Sequence, residues 1–456
     1  MEIINFQEIN KAAVYVRDLK AGYLERISQS DYLFKYTETY LNDTHLPAIS
    51  ASLPKIAKDF RSKKLHPFFD NLIAEGWLLQ HTEKVFHIDK KNRFSLLMAT
   101  GSETIGAITL KPLDSSDNEI NLGEYFKDHR LEGLVPFEAQ PVHISGRCPY
   151  CMKRIKPSEI SHLSCTKKMW QTTRPLKILL NADNQITTFS HVIYGGSISG
   201  AQRKGMFTLD RKTGILEAKA RNSEYIFKPN GDFPELPENE HIGMSIARHA
   251  GFKVPPFVLM DIKGLGRVFA IKRFDRERKG EGLVKYLQED MGQITASQSD
   301  DKYNSSCEKI VSAIKKTSSM PIVDIANYFE RLIFCFLIGN ADMHLKNWSM
   351  LELSSRKNIF TLSPVYDPLN TRLAIPNEAV DIGLPIRGKS RKLQLSYFKA
   401  FAKDAEIEDR IVNEILGRAE NWIKLAKPLV EASLLSANAK ENYCEILDKR
   451  HKLLFG

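Results

Sequence analysis

The chain has 456 residues, of which 43% are hydrophobic and 26% charged, with a formal net charge of +10. That length exceeds what one hydrophobic core serves and predicts two or three domains of an ordinary soluble protein. No apolar stretch approaches membrane-spanning length, and Met1-Glu2-Ile3-Ile4-Asn5-Phe6 lacks the basic start and apolar run of a signal peptide, so no membrane-spanning helix and a cytoplasmic location are expected.

Positive charge is spread along the chain in short runs such as Arg387-Gly388-Lys389-Ser390-Arg391-Lys392. A pI near 9.1 favours encounters with nucleic acid or acidic proteins, but such runs mark no dedicated nucleic-acid surface. In a reducing compartment the cysteines read as metal ligands or small buried hydrophobes. Cys307, Cys335 and Cys444 stand alone and are read as structural.

Residues 1–112 read as a small N-terminal α/β domain. Ala12 to Val16, Ala21 to Leu24 and Tyr32 to Tyr36 alternate as strands of a small antiparallel sheet. His66 to Leu79 opens like a helix with Pro67 in its first turn, and its aromatic stripe reads as core. No catalytic constellation is visible here. Residues 113–146 lack periodicity and read as a linker.

Residues 147–170 form a candidate metal clip. Cys148-Pro149-Tyr150-Cys151 and His162-Leu163-Ser164-Cys165 are two ligand pairs with ten residues between them. Three thiolates and an imidazole can close a tetrahedral zinc site with no open position, and the second pair argues against a lone redox C-x-x-C.

Residues 171–274 are predicted to form a strand-rich lobe. Tyr194 to Gly205 carries four glycines, whose backbone N–H groups can approach phosphates. Strands are expected at 206–209, 215–218 and 225–228, with Lys228 on the same face as Ile226 and aimed under the glycine loop. A helix runs from Pro237 to about Ala250, and either Glu238 or Glu240 can pair with Lys228. Two further strands lead to Lys272-Arg273-Phe274, where the chain would cross between lobes beside an adenine edge.

Residues 275–456 are expected to be mainly helical. The apolar helix beginning at Pro321 ends in Gly339-Asn340-Ala341-Asp342-Met343-His344-Leu345-Lys346-Asn347, and Tyr366-Asp367 follows. An Asp, an Asn five residues on and a later Asp is how protein kinases arrange a base and two magnesium ligands. Asp342 is therefore the candidate base, Asn347 and Asp367 the candidate Mg2+ ligands. Lys346 is placed near the γ-phosphate, and His344 reads as scaffolding.

These motifs resemble the HipA family of kinase toxins from bacterial toxin–antitoxin systems. The resemblance rests on Ser197 to Lys204, Tyr225-Ile226-Phe227-Lys228-Pro229 and Gly339 to Asn347, with 11–112 similar to that family's N-terminal domain. It implies an α+β, bilobal protein-kinase-like fold with the small N-terminal domain, to which the short zinc-binding element read from the cysteine and histidine spacing is appended. It further implies an ATP- and Mg2+-dependent serine/threonine kinase, with a nucleotide site drawn from Ser199, Gly200, Ala201, Gln202, Arg203, Lys204, Lys228, Lys272, Arg273, Phe274, His344, Lys346, Asn347, Tyr366 and Asp367. Autophosphorylation is implied at Ser197, Ser199 or both. An aminoacyl-tRNA synthetase as substrate and a DNA-binding antitoxin as partner are likewise implied. Zinc at Cys148, Cys151, His162 and Cys165 is outside that pattern. The competing readings are a catalytically weak nucleotide-binding module in an antitoxin–DNA repressor complex and a small-molecule phosphotransferase.

Overall fold

The computed structural model describes residues 4–126, 132–194, 196–198, 202–354, 358–375 and 378–456. Strands β1 (Lys11–Val16), β2 (Leu19–Ser28), β3 (Asp31–Tyr36), β4 (Asp59–Ser62) and β5 (Ile108–Pro112) form an antiparallel sheet in the order β4-β3-β2-β1-β5. Short helices cover it, and Phe34, Tyr36, Phe68, Phe69 and Phe94 fill the core between them. The aromatic stripe is thus core. The helix expected over 66–79 is instead two, Pro67–Asp70 and Gly76–Phe86. Asn71 closes the first in helical backbone, and Gly76 opens the second at φ 55°, a left-handed conformation that glycine enters without strain.

The second layer is a closed barrel of β10 (Tyr225–Pro229), β12 (Gly266–Lys272), β11 (Phe257–Ile262), β6 (Leu134–Pro141), β7 (Leu176–Asn181), β9 (Ile215–Ala218) and β8 (Gly205–Asp210), in that spatial order. β6 corrects the reading of 113–146 as a linker: Leu134–Pro141 pairs with both β11 and β7. Its prolines and largely outward-facing residues hide the strand pattern, because pairing rather than one-sided burial holds it. The metal clip is inserted between β6 and β7, and Trp170, at the end of the helix Leu163–Trp170, is packed into the barrel interior.

The helix Leu236–His249 joins β10 to β11 and packs across the barrel mouth against the helical lobe. That lobe is built on the helix Pro321–Leu337, whose second half is buried all round, with the helices Asp409–Ala432 and Ala437–Phe455 packed on it. Among the described residues no helix is long and apolar enough to cross a membrane.

Candidate active site

A cleft opens between the barrel and the helical lobe. Alternation along β10 turns Tyr225 and Phe227 into the barrel interior and Ile226 and Lys228 into this cleft. The Lys228 ammonium bonds Glu240 Oε1 at 2.7 Å and also Asp367 Oδ1. Of the two candidate glutamates Glu240 is therefore the partner, whereas Glu238 pairs with Arg267 at 2.9 Å.

Three contacts fix this triad. Gly243, one turn beyond Glu240, lies so close to the Asp367 loop that a Cβ would stand 1.7 Å from the Pro368 carbonyl. Asn239 and Asn370 exchange two hydrogen bonds at 2.8 and 2.9 Å, tying the same helix to the same loop. Asp367 itself holds a left-handed backbone, φ 53°, which a non-glycine residue adopts only where its surroundings impose it.

Two carboxylates thus share one ammonium, Glu240 fully buried and Asp367 half-buried. Burial raises Glu240 to a pKa of about 8, with Asp367 adding to the rise against the pull of Lys228. Burial also opposes ionisation of Asp367, but Lys228 and Lys204 hold it below the usual carboxylate range. Lys228 is kept above its ordinary value by Asp367 and Glu240 in spite of burial. Lys204, buried nearby, is lowered to about 8 by desolvation and by Lys228.

The opposite wall is the Gly339 to Asn347 loop. Gly339 has φ 76°, and its carbonyl accepts from the Thr371 hydroxyl, which in turn accepts from the Ala341 N–H. Asn340 Oδ1 receives the Asp342 N–H at 3.0 Å, and Asn347 donates its side-chain amide to the Asp342 carbonyl at 2.6 Å. Asn347 also lines the cleft. Asp342 sits at the rim with its side chain 44% exposed. Its pKa is raised by desolvation, partly countered by the Tyr303 hydroxyl, which donates to Oδ1. His344 is buried against the Tyr303 ring, its Nδ1 accepts from the Lys346 N–H, and burial lowers its pKa to about 3. Neutral and enclosed, the imidazole is tied into the loop's own framework.

The structure brings Lys204, Lys228, Lys272, Arg273, Phe274, His344, Lys346, Asn347, Tyr366 and Asp367 together around the cleft. It does not bring Gln202 or Arg203 to the cleft lining. Arg203 is drawn aside to Asp232 at 3.2 Å and over the Trp77 ring, where an ion pair and a π face compete for it. Ser199, Gly200 and Ala201 lie outside the described residues. Ser197 is buried, its N–H is bonded to the Glu103 carbonyl at 2.8 Å, and its hydroxyl has no partner among the described residues. Lys346 lines the cleft, with its ammonium held by Asn71 O and Oδ1, both at 3.0 Å, and by Glu75 at 3.1 Å.

Asn71, Leu72 and Ile105 of the N-terminal domain line the cleft, as do Gln288, Asp290 and Gln293. Sequence reading placed none of these in the site. Asn71 and Lys346 are 275 positions apart, and no local spacing signals that meeting. The domain is welded in place by a buried cluster where the chain crosses between lobes. Arg273 and Arg276 both bond Asp275, Arg276 also bonds Glu103 at 2.7 Å, and Gly106 donates its N–H to Asp275 at 2.8 Å.

Away from the cleft, Cys148, Cys151, His162 and Cys165 present four donor atoms within 4.8 Å of one another. That arrangement is a candidate metal site, with the chemistry of a closed thiolate–imidazole set.

The family models for the HipA N-terminal domain and the HipA-like C-terminal domain match residues 12–111 and 196–425. Two proteins of Sinorhizobium fredii (strain NBRC 101917 / NGR234) named as candidate kinases, Y4dM and Y4mE, are each 26% identical. The first alignment covers 85% of this chain and 84% of Y4dM, the second 88% of each. The fold is also that of HipA in the Shewanella oneidensis MR-1 complex of HipA, HipB and operator DNA. That match has a TM-score of 0.68 at 18% identity and covers 97% of this chain and 96% of the other.

Proposed function

This chain belongs to the HipA family, and from the geometry of its cleft we propose that it is an ATP-dependent serine/threonine protein kinase acting as a HipA-type toxin. The observation that carries the proposal is the convergence of Lys228, Glu240 and Asp367 opposite Asp342 and Asn347. Phosphoryl transfer asks a protein mainly to position charged groups and to neutralise them. Kinases held in this way need the lysine–glutamate pair in place and a carboxylate for the metal.

ATP would lie along the crossing segment Lys272 to Phe274, with its phosphates toward Lys204 and Lys228. Mg2+ would be held by Asn347 and Asp367; when bound it neutralises phosphate charge. The half-buried Asp367 carboxylate, shared with one ammonium and strained in its backbone, fits such a cation. Asp342 orients and takes up the proton of a protein hydroxyl, and the desolvation that raises its pKa makes it a stronger base than a free carboxylate. Tyr303 marks where that hydroxyl would sit, because its own O–H occupies the Asp342 carboxylate.

Zinc at the Cys148, Cys151, His162 and Cys165 cluster completes the cofactor set. A DNA-binding antitoxin as partner is supported by the HipB–DNA assembly of the Shewanella relative, and an aminoacyl-tRNA synthetase as substrate rests on the family resemblance. A cytoplasmic location suits such partners. Phosphorylation of Ser197 or Ser199 would switch the site off, since a phosphate adds about two negative charges where nucleotide phosphates must enter. Ser197 would first have to leave its contact with Glu103.

The test is phosphorylation in host lysate with mass-spectrometric readout, comparing the native chain with Asp342→Ala. New phosphoserine or phosphothreonine on a protein, lost in the variant, supports the reading. Transfer only to a sugar or aminoglycoside would replace it with a small-molecule phosphotransferase. Nucleotide binding without any transfer would leave a binding module.

A further inference from the structure

The metal cluster lies outside the cleft, and phosphoryl transfer by itself gives it no task. Its two halves are nevertheless anchored on the two elements that carry the Lys228–Glu240 pair. The first half is the turn Cys148 to Cys151, and three consecutive carbonyls of that turn are gripped by one helix. Pro149 O accepts from His241 Nε2 at 2.7 Å, Tyr150 O from the Arg248 guanidinium, and Cys151 O from His249 Nε2 at 2.8 Å. All three donors belong to Leu236–His249, and His241 directly follows Glu240.

The second half is the helix Leu163–Trp170, which starts beside His162 and bears Cys165. Its end plugs the barrel against β10. Trp170 is 1% exposed, with its ring centroid 4.8 Å from that of Tyr225 and 6.3 Å from that of Phe227. The Met169 carbonyl accepts from the Tyr225 hydroxyl at 3.1 Å. Phe227 adjoins Lys228 in sequence. Trp170 Nε1 donates to the Tyr150 hydroxyl at 2.9 Å, which links the halves directly.

The segment between the halves has little core of its own. From Lys153 to His162 its large apolar residues are Ile155 and Ile160, and Ile160 is 62% exposed. Such a stretch holds a fixed shape when an ion cross-links its ends.

We propose that a zinc ion bound by Cys148, Cys151, His162 and Cys165 is a positioning element of the active site, setting the Glu240 helix against the Lys228 strand. The inference rests on reading Lys228 and Glu240 as the nucleotide-holding pair. Zinc draws the two halves into one rigid knot, and the knot holds β10 on one side and the helix on the other. Without the ion the Pro149 to Cys151 carbonyls lose their fixed positions, the helix loses three of its anchors, and Glu240 moves relative to Lys228. His241, Arg248 and His249 are then positioning residues that act through Glu240 and touch no substrate.

The experiment uses the full-length chain and follows hydrogen exchange of residues 236–249 together with metal content and ATP kinetics. The chain as purified should contain about one zinc ion. Chelation should speed exchange in 236–249 at least about tenfold while Pro321–Leu337 keeps its protection, and added zinc should reverse the change. Cysteine variants risk misfolding, so the companion is Arg248→Met with His249→Leu, two half-buried positions at the far end of the helix. That double variant should keep its zinc, show the same local acceleration, and raise the KM for ATP roughly tenfold with a smaller change in kcat, as loss of the bonds to the Tyr150, Cys151 and Pro255 carbonyls implies. A chain without zinc, an exchange rate in 236–249 indifferent to chelation, or acceleration spread evenly over all segments would overturn the proposal. If the native chain transfers no phosphate, the kinase reading fails on that result alone, and the exchange data still decide the role of the metal.

Discussion

Two charge clusters lie close together in this molecule, and they respond to burial in opposite ways. Behind the cleft, Arg273 and Arg276 face Asp275 and Glu103, and Lys285 adds a bond to Glu103 at 2.7 Å. Guanidinium groups do not shed their protons in proteins, so only the carboxylates can balance them. Burial opposes both acids, yet the arginines hold Asp275 and Glu103 below their ordinary values. In the cleft, one lysine serves two carboxylates, and Glu240 rises to about 8. The first cluster is a weld that cannot neutralise itself. The second carries a carboxylate able to take up a proton, which suits the exchange of a cation or phosphate proposed for the cleft.

That contrast can be broken most forcefully at the weld. Asp275→Ala leaves two buried arginines without their shared acid, and stability should fall by about 3–5 kcal/mol, read from the urea unfolding midpoint. A loss under 1 kcal/mol would mean that water already reaches the cluster. In the cleft, Lys228→Met should leave the midpoint much less altered, because Glu240 can hold a proton near neutrality. Phosphate transfer in that variant should drop about 10²–10³-fold, as loss of a preorganised charge at a reacting group implies.

A smaller effect separates the clusters by pH. Glu240 keeps its proton up to about pH 8 when folded, against an ordinary value of 4.5. The folded state therefore binds the extra proton between those values, and the stability it carries is complete below about 4.5 and lost as pH rises through about 8. Asp275, depressed in the fold, gives the opposite slope, with stability present above its ordinary 3.8 and lost as pH falls further. Glu240→Gln should abolish the first slope and leave the second; unfolding midpoints from pH 3 to 9 would reveal it, and an unchanged alkaline slope would reject the assignment. The least effect is expected from Tyr303→Phe. Removing the hydroxyl that stabilises ionised Asp342 should move the acid limb of the transfer rate upward by less than about one pH unit.

How much of this was legible in the sequence depends on the range of the contact. The strands of the barrel after Gly205 and the helix holding Glu240 follow from local periodicity and turns. The order of Lys228, Asp342, Asn347 and Asp367 was equally visible, since each lies in a short motif on a predicted element. What escaped is what distant segments make together. β6 looks irregular because its order comes from pairing with β7 and β11, and the two short helices around Asn71 were read as one because the stripe of aromatics continues through the break. The capture of Lys346 by Asn71 and Glu75, and of Asp275 by Gly106, joins the N-terminal domain to the cleft across chain separations that no motif spans. The cysteine and histidine spacing disclosed the metal clip, but not the three carbonyls it offers to the Glu240 helix.

The most direct measurement is the rate of phosphate transfer from labelled ATP to protein by Asp342→Asn, with the affinity for MgATP measured on the same preparation. Asn preserves the shape of the side chain and removes the base, so affinity should stay within about threefold while transfer falls by about 10²–10⁴. Transfer within tenfold of the native rate, at unchanged affinity, would remove Asp342 from the reaction and with it the proposed mechanism.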